Sequence, residues 1–166
     1  MSFGYSVGDA VLLVQLARNT YQGAKKACGE HDELTREVGS LLQVLQRLQR
    51  ELSNPDSLLN RVNDDRRQEL SELGSGCEQI FNILNMIVSK YNALTEAKRS
   101  PKKIWKRIRF GNGEMHDLAD LRSKLSTHTS AITLNINLCS LSSQGRVEKQ
   151  LINVGGELEG IRERVD

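Results

Sequence analysis

Between Leu70 and Leu94 the apolar residues fall at Leu70, Leu73, Cys77, Ile80, Leu84, Ile87, Tyr91 and Leu94, in steps that alternate three and four. An α-helix, with about 3.6 residues per turn, turns that spacing into one continuous seam. A strand, with its period of two, would scatter the same residues over both faces. A seam of this length needs partner helices. Residues 64–94 therefore read as the long central helix of an all-α, antiparallel bundle of four to five helices.

The totals agree with one such domain. The chain has 166 residues, of which 38% are apolar and 27% charged, and only two prolines to interrupt long helices. A formal net charge of +2 is too small to imply a polyanion partner, so any such argument must rest on local clustering. Cys28, Cys77 and Cys139 are scattered among apolar residues of predicted helices, as in a reduced intracellular protein that uses cysteine as a small core residue. No run of about 18–20 apolar residues is present, and Met1-Ser2-Phe3-Gly4-Tyr5 lacks the basic region of a secretory signal. A cytoplasmic location is expected.

Ser6-Val7-Gly8-Asp9 is a helix start: Ser6 can accept from the backbone N–H three residues on, with Asp9 near the positive helix end. Helix 1 then runs to about Cys28, ahead of Gly29. Val7, Ala10, Val11, Val14, Ala17, Tyr21, Ala24 and Cys28 share its main apolar face, and Leu12, Leu13 and Leu16 lie off it. Residues 10–17 are thus apolar nearly all round, broken only by Gln15. Such a segment is either buried on several sides or able to leave the protein for a membrane. Helix 2, about Asp32 to Leu52, carries the seam Leu34, Val38, Leu41, Leu45, Leu48 and Leu52. Asn54-Pro55 predicts a short helix over 55–61. Gly74 and Gly76 inside the central helix mark a kink or a close helix approach.

Lys98 to Phe110 holds seven cations and no acid in thirteen residues. Ser100-Pro101 as a start and Gly111 as a stop frame a short basic connector helix with Ile104, Trp105 and Ile108 near one side. Two readings compete. In one, Trp105 and Phe110 fasten a connector to the bundle while the cations sit in water. In the other, Lys102, Lys103, Lys106, Arg107 and Arg109 meet an anionic surface, each worth about 1 kcal/mol near anionic lipid. Nucleic acid is disfavoured, for lack of a zinc pattern, an RNP-type motif or stacking aromatics.

From Met115 the chain is helical again, with Leu118, Leu121, Leu125, Ile132, Ile136 and Cys139 on one side. Residues 132–138 also alternate as a strand would, but no other strand is available to pair. Leu134, Leu138 and Leu141 form a second stripe, a candidate interaction surface. Ser142-Ser143-Gln144-Gly145 predicts a turn. A last helix follows with Val147, Leu151, Val154, Leu158, Ile161 and Val165 as a third regular seam, running to Asp166 without a stop signal. A seam cut off in this way suggests either a longer parent protein or an artificial boundary at Asp166.

No motif supports catalysis, a metal or a cofactor. Gly111-Asn112-Gly113 lacks the third glycine and preceding strand of a dinucleotide loop, and His31, His116 and His128 have no partner at metal-ligand spacing. An enzyme is not expected.

Taken in order, several short stretches resemble the N-terminal helical domain of fungal STAND (NLR-like) proteins, the HeLo-like group. They are Ser6-Val7-Gly8-Asp9 and the apolar helix after it; Glu37-Val38 leading to Leu41 and Val44-Leu45; Asn54-Pro55 with Leu58-Leu59; Gly76-Cys77; Lys90-Tyr91-Asn92-Ala93-Leu94; Trp105, Arg107, Arg109 and Phe110-Gly111; and Leu121-Arg122 with Leu125. The resemblance implies a signalling or effector module that associates with its own copies or with other domains of a parent protein. It further implies membrane-targeted cell death of the heterokaryon-incompatibility or innate-immunity kind, with membrane association on activation; an anionic membrane is suggested by the basic stretch and not by the resemblance. The membrane-active residues would then be Val7, Val11, Leu12, Leu13 and Leu16. Gln15 and Arg18 favour shallow insertion over spanning. The alternative is a plain oligomerisation or adaptor module without membrane activity.

Overall fold

The computed structural model describes residues 6–57, 59, 64–97 and 114–165. Within these helices, the side chains of 64, 93–97, 114–117, 140–150, 158, 160–161 and 163–165 lie outside the description. The described elements are four helices: α1 Val7–Cys28, α2 Glu33–Ser53, α3 Asp64–Ala97 and α4 Glu114–Val165. Their residues form one all-α bundle, as the seams require.

Local chemistry starts and stops the helices. The Ser6 hydroxyl accepts from the Asp9 backbone N–H at 3.2 Å, and the Asp9 carboxylate accepts from the Ser6 backbone N–H at 3.0 Å, a reciprocal capping box. Gly29, at φ 92°, ends α1 in a conformation that side chains resist. The Asp32 carboxylate accepts from the Leu34 N–H at 3.0 Å and opens α2. After α2, Pro55 and Asp56 make a turn and Leu59 returns to the core; the rest of the short helix expected over 55–61 lies outside the described residues.

Pairwise contacts fix the topology. α1 packs on α2 and α3, and α4 packs on the same two. Gly39 meets Tyr21 and the Gly29–Asp32 link is short, so α1 and α2 are antiparallel. Gly76 meets His128 while Arg66 reaches Cys139, so α3 and α4 are antiparallel. Arg122 binds Glu33 and Glu37 while Arg47 binds Asn137, so α2 and α4 run in the same direction. Consecutive helices therefore alternate in direction, and the α2–α3 connection crosses a diagonal of the bundle.

The core is the set of seams. Every α2 seam residue is buried, as are Leu118, Leu121, Leu125, Ile132, Ile136 and Cys139 of α4. In α3, Leu70, Cys77, Ile80, Leu84 and Tyr91 are buried, with Phe81 and Val88 beside them; Leu73 and Ile87 pack against the edge. The alternating stretch of α4 stays helical. Thr129 and Thr133 donate to the carbonyls four residues back at 2.7 Å, and Asn135 to Ala131 O at 3.0 Å.

Two expectations need correction. The face of α1 turned to the core is Ala10, Leu13, Val14, Ala17, Thr20, Ala24 and Ala27. Leu13 is inside, whereas Val7 and Val11 are outside. Alanines let α1 sit close to α2 and α3, so only one side is covered. Second, residues 142–145 make no turn, and α4 continues as one helix of 52 residues, about 78 Å long. The segment has no proline, and one glycine costs only about 1 kcal/mol relative to alanine, too little to break a helix already anchored in a core.

Candidate functional site

Large apolar side chains that reach water mark the surfaces able to contact something else. On α1 these are Val7, Val11 and Leu12, the last 66% exposed. Leu16 is half-buried against the core and Leu13 is within it. The five residues proposed for membrane contact are therefore not one surface: three are presented and two hold the bundle.

On α4 the outer stripe is present, with Leu134 and Leu138 exposed; the Leu141 side chain lies outside the described residues. Cys139 is the last residue of α4 described as buried. Further on, Leu151 to Glu157 are exposed at seven consecutive positions, which cover every side of a helix. Leu151, Ile152 and Val154 lie among them, so this segment carries its apolar residues outside the bundle. Among the described residues, α3 adds Ile83 and Met86 to the exposed apolar set.

The cations Lys102, Lys103, Lys106, Arg107 and Arg109 lie outside the described residues. Among the described residues, no group of three or more His, Cys, Asp or Glu could hold a metal ion. No described helix is long and apolar enough to cross a membrane.

The polar contacts between helices are structural. The Arg122 guanidinium donates twice to the Glu37 carboxylate, at 3.0 Å each, and once to Glu33 at 2.8 Å. This fork joins α2 to α4, and the Glu37 hydrogen bonds push the Arg122 pKa up. Two stretches that carried the resemblance, Glu37-Val38 and Leu121-Arg122, thus touch in space. Their charges gave no separate signal, because pairing across 85 positions has no local signature. Burial pushes the Cys77 thiol up to about 12, so it stays protonated and unreactive. The Tyr91 phenol is also raised, by burial first and by nearby Cys28 second.

No family model, curated protein or solved structure matches the chain.

Proposed function

We propose that the chain is a helical signalling module that works by self-association, using apolar surfaces that the bundle leaves uncovered. One observation carries this reading. Of the ten large apolar residues described as exposed, five sit on α4, and three of these lie within 151–157, a stretch in which every residue is exposed. Exposed large apolar side chains gathered on one segment are characteristic of contact sites. The resemblance to N-terminal domains of fungal NLR-like proteins supports the same role, in a cytoplasmic protein whose bundle assembles when a receptor part is triggered. Light scattering across a concentration series tests it: the mass should rise above one chain of 18.6 kDa. A mass of one chain at every concentration overturns the reading.

Exposed Val7, Val11 and Leu12 favour a second role, contact with an anionic membrane. They are presented without unfolding the bundle, at the end where α1 begins. Vesicles containing anionic lipid should leak dye in the presence of the chain. Val11→Asp with Leu12→Asp should abolish leakage while leaving the thermal midpoint within a few degrees. Leu13 is unsuitable for this test, because a charge there would unfold the core. Leakage unchanged by the double substitution would remove α1 from the role.

A further inference from the structure

The projecting part of α4 has a regular seam and an internal symmetry. Val147, Leu151, Val154, Leu158, Ile161 and Val165 alternate four and three, which assigns heptad positions without ambiguity. Leu151, Leu158 and Val165 fall at a; Val147, Val154 and Ile161 fall at d. The described members, Leu151 and Val154, are exposed by 66% and 52%. Helices of this length draw most of their stability from packing on a neighbour. This one also contains Gly155, Gly156 and Gly160, each unfavourable by about 1 kcal/mol in a helix. A partner for the seam is therefore called for.

We infer that the partner is the same segment of a second copy, running antiparallel, so that two chains form a dimer with a bundle at each end. The inference rests on the self-association reading above and adds direction and register to it. Three observations carry it. The seam is spaced evenly about Gly156. An antiparallel copy therefore pairs Val147 with Val165, Leu151 with Ile161 and Val154 with Leu158, each an a position on a d position, with none left over. In that register Glu148 lies opposite Arg162 at the e positions, twice by symmetry, and the two Gly155 meet at the dyad, where no Cβ keeps the helices apart. Sterics decide the direction. At about 100° per residue, the 147–165 seam is centred within about 50° of the direction in which α4 faces its own core. A partner helix on that seam must lie beneath the bundle. In a parallel pair both bundles would claim the same space; in an antiparallel pair they lie at opposite ends.

The register also makes a distinctive demand, because it sets Glu157 against its own copy at the g positions. In a parallel pair Glu157 would instead face Arg162 of the other chain, five residues on. Glu157→Gln should therefore strengthen the antiparallel dimer by several-fold in Kd; weakening by this substitution overturns the direction.

The test uses sedimentation of the whole chain, with the thermal midpoint as a check on folding. The mass should approach twice 18.6 kDa. Leu151→Asp should return it to one chain. Ile152→Asp should leave the dimer intact, although Ile152 is the more exposed at 71%, because it lies at b, off the seam. Equal loss from both variants would mean unspecific adhesion and overturn the seam. Loss from neither, in a chain that still self-associates, overturns the coiled coil while leaving the association reading standing. A wild-type chain that is always monomeric overturns both. Direction is read by disulfide formation in a Cys28→Ser background. Chains with Leu151→Cys mixed with chains carrying Ile161→Cys should cross-link, and Leu151→Cys alone should not. Cross-linking of Leu151→Cys alone overturns the proposal.

Discussion

Gly76 sits where α3 and α4 approach each other, and a Cβ built there would overlap Nε2 of His128. That ring is tethered: the Lys124 carbonyl can only accept, so His128 Nδ1–H donates to it at 2.7 Å. Two effects of Gly76→Ala oppose each other. Helix propensity gains about 1 kcal/mol, and overpacking costs roughly 1–3 kcal/mol. The tether makes the second win, so Gly76→Ala should lower the urea midpoint, and His128→Ala in the same chain should recover most of the loss. A single Gly76→Ala chain more stable than wild type would refute the close contact. The sequence already marked Gly76 as a kink or a close approach. It could not supply His128, because the side chain that fills a notch comes from a distant helix. The same limit explains Leu13 and Val11. Both belong to a segment apolar nearly all round, where periodicity leaves the buried side undetermined until α2 and α3 choose it.

At the scale of single helices the pattern was informative, since caps and seams are local. The start of α1 is a case that pH can read. The Ser6 backbone N–H, then its hydroxyl, hold the Asp9 pKa below its ordinary 3.8. A carboxylate depressed in the folded state adds stability that is complete above its unfolded value and is lost as pH falls through the folded value. Ser6→Ala should therefore cost about 1 kcal/mol near neutral pH, typical of a lost N-cap. The difference from wild type should shrink as the pH is taken below 3.8. Denaturant titrations at both pH values measure it, and a gap independent of pH would show that Asp9 takes no part in the cap. Stops were less legible than starts. Gly29 ends α1 because it adopts positive φ, whereas Gly145 sits in a helix that continues through it. A glycine permits a stop; the neighbouring helix contacts decide whether one occurs.

Over the whole molecule, α4 belongs to two environments. Its first half lines the core between α2 and α3, from Leu118 to Cys139; its second half, from Leu151 to Glu157, is exposed on every side. The seams announced a bundle, but not that Leu151 and Val154 of the third regular seam would stand outside it, because a heptad records that a helix has a neighbour and not which chain supplies it. Stability should follow this division. Amides packed in a core open only with the global unfolding free energy, whereas amides of an unpacked helix open locally at almost no cost. In hydrogen exchange at high dilution, residues 121–139 should be strongly protected and residues 151–157 should exchange within the shortest labelling time. Raising the protein concentration should slow exchange in 151–157 and leave 121–139 unchanged, since association acts as a ligand for the exposed segment alone. Equal protection of the two segments in dilute solution would mean that the end of α4 packs on its own bundle, and that the long helix is not its resting arrangement.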